Sequence, residues 1–265
     1  MLLISERKTM NSGLNFLKDD NSKYVYRKYS DMASNLYYGQ ISRTKFLDPN
    51  EQSIVISILK KHKLIYKIYS SFENCERKVI YFSNDDFDLD DFISEDMSVL
   101  YIHSKNHNLA HKDVLGALMS TSIERDLIGD IVLNNDYIEV NVLTEIADYI
   151  RFNLKSIKRL NVFFELKADI YMDDSLIQYE DRVVTISSSR LDTFLASVLN
   201  MSRSSVKTII QREYVKQNYV VESNPSSIVE EGDCISVRGY GRYFYNEFLG
   251  TTRKDKERIS IRKIL

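Results

Sequence analysis

The sequence predicts an α+β protein in three parts: a mostly helical N-terminal region over 1–75, an α/β domain over 76–180 and a third unit over 181–265. Three observations support this division. Apolar residues at 54, 55, 58 and 59 keep a helical period, which gives way after residue 64 to short β-rich runs. Residues 97–180 alternate strand-like and helix-like patterns. Beyond residue 187 the chain returns to two short amphipathic stretches followed by strands. A length of 265 residues accommodates two domains or three small ones. With 43% hydrophobic and 28% charged residues the chain reads as folded, and 2 Pro and 8 Gly exclude collagen-like or low-complexity character.

Taken in order, Asp48 is suited to cap a helix with Pro49 in its first position and Glu51 in its third. Strands are expected at 64–69 and 79–82. Ser83–Asp96 holds seven acidic residues and reads as a solvated connector, because it lacks the central Gly of a calcium loop. Then come a strand at 99–102, a helix at His111–Ser120 and a hairpin turning at Asn134–Asn135. A helix capped by Thr144 and a strand at 162–166 complete the domain. This β-α-β-β-α-β order is that of the ferredoxin-like or RRM-like plait. The aromatic signature with which RRM sheets stack bases is missing.

The last unit is expected to place Leu191, Leu195 and Leu199 on one helical face, break at 200–202, and restart at Arg203 with Ser202 as cap. A short strand at 214–218, a turn at Glu231-Gly232-Asp233 and a strand at 234–237 follow. Its charge differs from the rest. From Ser187 to Leu265 there are 13 Lys and Arg against 9 Asp and Glu, a net +4, whereas the preceding residues carry net −6. Arg190, Arg203, Lys207, Arg212 and Lys216 lie within 27 positions, and Arg203 and Lys207 are neighbours at i,i+4. Such cations suit the closely spaced phosphates of a folded RNA, although the same spacing also describes a solvated helix face. The segment Arg238-Gly239-Tyr240-Gly241-Arg242-Tyr243 adds two guanidinium forks and two rings able to stack on bases.

Ser189-Arg190-Leu191-Asp192, Met201-Ser202-Arg203-Ser204, Val215-x-x-Asn218 and Glu231-Gly232-Asp233 together resemble the S4-type (αL) RNA-binding domain. With the 235–242 segment, and with Phe46-Leu47-Asp48-Pro49, Glu76-Arg77-Lys78, His111–Gly116 and Gly129-Asp130-Ile131 upstream, the chain resembles the YlmH family over nearly its whole length. The resemblance implies a non-enzymatic, cytoplasmic RNA-binding protein without cofactor or metal. Its implied partners are ribosomal RNA, with tRNA as a further candidate, on the large ribosomal subunit. The implied role is rescue or quality control of stalled ribosomes, and the family's genes lie near those of cell division. It also adds Ser204 and Asn218 to the RNA-binding set, which already holds Tyr240. Three features depart from the family pattern: Glu213 where Gly is usual, Gln217 for a typical Val, and Ser120–Arg125 without its usual Gly and Lys.

Other classes find less support. S4-type domains also occur in RNA-modifying enzymes and tyrosyl-tRNA synthetases, but only 25 residues follow Tyr240 and no P-loop, HIGH or KMSKS motif is present. An RNA-modifying enzyme with its site in the middle domain remains the alternative, with Asp113 and Asp130 as unpartnered candidate acids. His103, His107 and His111 are spaced by four, yet Asn106 and Asn108 interrupt a helix and no metal site is expected. Cys75 and Cys234, 159 positions apart, form no knuckle or disulfide framework and suit a reducing compartment. The absence of an apolar h-region within Met1–Met10 and of long apolar runs argues for no secretory signal and no membrane span.

Overall fold

Side-chain caps start the first two helices among the described residues. Asp19 accepts the Ser22 amide at 2.9 Å to open α1 (Asp20–Ser34), and Asp48 and Glu51 exchange bonds in a full capping box at α2 (Pro49–Lys61). The computed structural model describes residues 17, 19–72, 75–85, 89–104, 109–134, 136–167, 170–172 and 179–264. They belong to two units, Met1–Leu176 and Ile177–Leu265.

In the first unit, strands β1 (Ile41–Arg43), β2 (Ile65–Tyr69) and β3 (Val79–Ser83) form an antiparallel sheet in the order β1-β3-β2. β3 is buried throughout, so it reads as a continuous apolar run rather than an alternation. Its Ile80 and Phe82 pack with Val25, Tyr29, Val55 and Ile58 of the two helices, while Val79 and Tyr81 join Phe46, Met97 and Leu143. The domain boundary expected at 75/76 is therefore displaced. It would separate β2 from β3, which pair from Ile65↔Ser83 to Tyr69↔Val79.

The acidic stretch also differs from expectation, because part of it folds as α3 (Leu89–Asp96). Ile93 supplies a buried contact, and Asp96 is neutralised by the Arg43 guanidinium at 2.5 Å and accepts the Tyr81 hydroxyl at 2.8 Å. Next come β4 (Met97–Ser104), α4 (His111–Ser120), β5 (Ile128–Leu133), β6 (Ile138–Leu143), α5 (Thr144–Asn153), β7 (Ser156–Ile157) and β8 (Leu160–Lys167). The sheet order β5-β6-β4-β8, antiparallel throughout, is the ferredoxin-like arrangement, with the two-residue β7 added beside β8. Leu100, Ile102, Val140 and Val162 from the sheet pack against Val114, Leu118, Ala147 and Ile150 from α4 and α5.

The second unit opens with β9 (Tyr179–Ile186), so the boundary expected at 180/181 falls inside a strand. Two helices follow, α6 (Leu191–Val198) and α7 (Arg203–Gln211). Strands β10 (Val215–Gln217), β11 (Val220–Val221), β12 (Cys234–Val237), β13 (Gly241–Thr251) and β14 (Glu257–Ile264) then build a six-stranded antiparallel sheet in the order β11-β10-β12-β13-β14-β9. Leu191, Phe194, Leu195, Val206 and Ile210 of the helices cover Val215, Ile235, Val237, Tyr243, Ile259 and Ile261 of the sheet. The helix–break–helix–strand order is that expected from the sequence.

Candidate nucleic-acid interface

Helix α6 begins without a side-chain cap. The amides of Leu191 and Asp192 are taken instead by the carbonyls of Ser227 and Pro225, at 2.7 and 3.0 Å. That loop seals the first turn, and Asp192 becomes fully buried. A buried carboxylate needs partners, and here they are cations. Arg190 donates through Nε at 3.1 Å and through its second nitrogen at 3.2 Å, Arg203 donates at 2.8 Å, and the Lys207 Nζ stands 3.9 Å away. Thr193 Oγ1 adds a bond at 3.2 Å. Burial pushes the Asp192 carboxyl up, but the bonds and charges of Arg190 and Arg203 outweigh it and hold the group well below the usual carboxylate range.

The cations themselves remain accessible, with side chains 37%, 53% and 48% exposed for Arg190, Arg203 and Lys207. One negative charge therefore gathers three positive ones and leaves an outward excess of two. The guanidinium planes are held by bonds from behind, which reduces the side-chain freedom lost on meeting a phosphate. Ser204 lies exposed beside them at the start of α7, sharing a hydroxyl contact of 2.9 Å with the cap residue Ser202.

A second group sits elsewhere in the unit. Lys216, Ser236 and Arg242 occupy one rung across β10, β12 and β13. Their neighbours Val215, Val237 and Tyr243 face the helices, so by strand alternation Lys216 and Arg242 project from the opposite face of the sheet. Lys216 therefore lies on a different face of the unit from Arg190, Arg203 and Lys207. Arg242 donates to Ser236 Oγ at 3.1 Å and lies over the Tyr219 ring at 5.6 Å, and Arg238 lies over the Tyr214 ring at 5.3 Å. Tyr240 is 44% exposed in the turn between β12 and β13, where Gly239 and Gly241 take φ values of 84° and 107°.

The remaining expected residues have varied surroundings. Arg212 is exposed at the C-cap of α7. The Asn218 amide is engaged within the fold, donating to Asp233 at 2.6 Å and accepting the Cys234 amide at 2.9 Å. Glu213 occupies the left-handed position of a helix-ending motif at φ 60°, with its amide bonded to Ile210 and the Tyr214 amide bonded to Ile209. Asp113 closes the start of α4 by accepting the Ala110 amide and pairs with Lys158 at 2.6 Å. Asp130 accepts the amides of Glu76 and Arg77 at 2.9 and 3.1 Å. His103 faces Glu165 at 3.3 Å, His111 opens α4 and His107 lies outside the described residues. Among the described residues no three ligating side chains converge, and no helix is long and apolar enough to cross a membrane.

Asp192, the buried acid that gathers these cations, is what composition and charge counting overlooked. Its signal was an acid at the second position of a mostly apolar helix, two residues after one arginine and eleven before another.

Comparison with known proteins adds three findings. A family model described as "Putative RNA-binding domain in YlmH" matches residues 88–169, most of which form the ferredoxin-like plait. A solved structure titled "Cell division protein ylmH from Streptococcus pneumoniae" aligns with 57% of this chain and 93% of its own at 17% identity and a TM-score of 0.48, a likeness too loose to bear on the fold. The "Ribosome-associated protein quality control protein P2" of Bacillus subtilis (strain 168) is 32% identical over 228 residues, which is 83% of this chain and 86% of that protein. By that identity over most of both sequences, the chain belongs to the YlmH family.

Proposed function

We propose that this protein is a non-enzymatic, ribosome-associated RNA-binding factor that docks on the RNA of the large ribosomal subunit through its C-terminal unit. In this reading it serves the quality control of stalled ribosomes in the cytoplasm. The observation that carries the proposal is the set of three cations held around buried Asp192. Phosphates one nucleotide apart can meet Arg203 and Lys207 on one helical turn, while Arg190 engages from the preceding helix. Arg212, Lys216, Arg238, Tyr240 and Arg242 extend the contact to a second strand or a tRNA. Ser204 can donate its hydroxyl to a phosphate. The bonds that Asn218 makes within the fold tie the end of β10 to the start of β12. The relative from Bacillus subtilis, named for ribosome-associated quality control, agrees with this role.

An RNA-modifying activity gains no partner for its candidate acids, since Asp113 and Asp130 are engaged in capping and loop attachment. The test is sedimentation of the full chain with purified ribosomal subunits through a cushion, with nucleoside analysis of the recovered RNA. Stoichiometric recovery with large subunits and unchanged nucleosides is expected. Altered nucleosides with only transient association would overturn the reading.

A further inference from the structure

The end of helix α5 and the β7–β8 turn carry a feature that the C-terminal reading does not use. Between Tyr149 and Asn161 there are four cations, Arg151, Lys155, Lys158 and Arg159, and no acid, although the first 186 residues carry net −6. All four are exposed. Phe152 is 73% exposed on the same helix, whose burial is supplied by Ala147 and Ile150, so its ring has no part in the core. The Lys155 Nζ lies 5.9 Å from the centre of that ring and also donates to the Arg151 carbonyl at 3.0 Å, which holds the charge beside the aromatic face. Lys158, at φ 55°, and Arg159 form the turn between β7 and β8. A cleft of about 490 Å³ opens beside Lys155, lined also by Ser120, Thr121, Ser122, Tyr149 and Asn153 among others.

We propose that this surface is a second RNA-contact site, in which Phe152 stacks on an unpaired base while Lys155 and Arg159 hold the flanking phosphates. An exposed ring beside cations is the combination with which proteins hold single-stranded nucleic acid, because each base offers a flat face and each nucleotide a charge. The acids nearby leave this excess in place. Asp148 pairs with Arg151 at 2.8 Å and Asp113 with Lys158 at 2.6 Å, so Lys155 and Arg159 keep their charge for an incoming anion. The site lies within the residues matched by the RNA-binding family model, and it is separate in sequence from the C-terminal cations.

The test measures binding of the full chain to free large-subunit ribosomal RNA and to a labelled oligouridylate, each across a salt series. Phe152→Ala should weaken oligouridylate binding about ten-fold, with Phe152→Tyr restoring it, as expected for loss and recovery of one stacked base. Lys155→Ala/Arg159→Ala should reduce the slope of log K against log salt by about 1.4, the share of two single-strand phosphate contacts. Unchanged affinity and slope in these variants, alongside lost binding in Arg203→Ala/Lys207→Ala, would overturn this proposal and leave the C-terminal reading standing. Loss of ribosome association without loss of RNA binding would also overturn it, in favour of a protein contact. Failure of the unaltered chain to bind either RNA would overturn both readings together.

Discussion

Asp192 and Asp130 are both carboxylates drawn in from solvent by the fold, one in each unit, and their partners give them opposite characters. Asp130 accepts two backbone amides from the 76–77 segment, and burial pushes its carboxyl up against those bonds. It fastens a loop to strand β5. Asp192 accepts three nitrogens from Arg190 and Arg203, and its carboxyl is driven down despite burial. The first arrangement spends its charge on the backbone and leaves nothing for a ligand. The second orders cations that still face water. Partner identity decides whether a withdrawn carboxylate fastens a chain or arms a surface.

The sharpest way to break this contrast is to remove the two charges separately. Asp192→Asn should cost the C-terminal unit about 2–3 kcal/mol, below the 3–5 of a fully enclosed pair because its partners are half exposed to water. It should also weaken RNA binding, since Arg190 and Arg203 lose the bonds that orient them. Asp130→Asn should cost about 1 kcal/mol, because an amide oxygen still accepts the two backbone bonds, and should leave RNA binding unchanged. Urea melts followed by RNA filter binding distinguish the two. Equal losses of RNA affinity would dissolve the comparison.

Acid provides a second, smaller discrimination. The folded-state carboxyl of Asp192 lies below its unfolded value, so it contributes stability above about pH 4 that is lost as the pH falls further and the unfolded chain takes up the proton. Asp130 is raised, so its own contribution is present at low pH and is lost as the pH rises through its folded value. The stability gap between the parent and Asp192→Asn should therefore narrow below about pH 4, whereas at neutral pH it is constant. A gap that widens in acid would contradict the assignment of Asp192 as the ionised centre.

The smallest expected effect concerns Glu213. A non-glycine residue in the left-handed region costs about 1 kcal/mol, partly offset by the chain entropy that glycine loses. Glu213→Gly should raise the melting temperature of the C-terminal unit by a few degrees and, by removing a negative charge next to Arg212, slightly tighten RNA binding. A lower melting temperature would mean that the Glu213 side chain supports the fold.

Much of this architecture was legible in the amino-acid pattern. The Asp48–Glu51 capping box, the hairpin around Asn134 and the Leu191, Leu195 face are local signals, and local signals survive folding. The plait followed from element order alone. What escaped were features set by contacts distant in sequence. The pairing of β2 with β3 across residues 70–78 erased a boundary that composition had suggested. The helix within the acidic stretch ends on Asp96, which meets Arg43, 53 positions earlier. At the site, the cations were recognised by type and spacing, but their grouping was not. Strand alternation places Lys216 and Arg242 on the sheet face turned from the helices, and the burial of Asp192 depends on the loop at 225–227 that sequence spacing does not position.

If the cations around Asp192 form the principal RNA surface, charge reversal in a full-length Arg203→Glu/Lys207→Glu variant removes it, and RNA affinity across a salt series reads the loss. The fold should persist, since Arg190 still holds Asp192, with a moderate loss of stability from the missing Arg203 bond. Binding to free large-subunit ribosomal RNA should fall below detection, while the unaltered chain shows a slope of log K against log salt near −4 for about five phosphate contacts. A folded variant that binds with the affinity and slope of the unaltered chain would contradict the account.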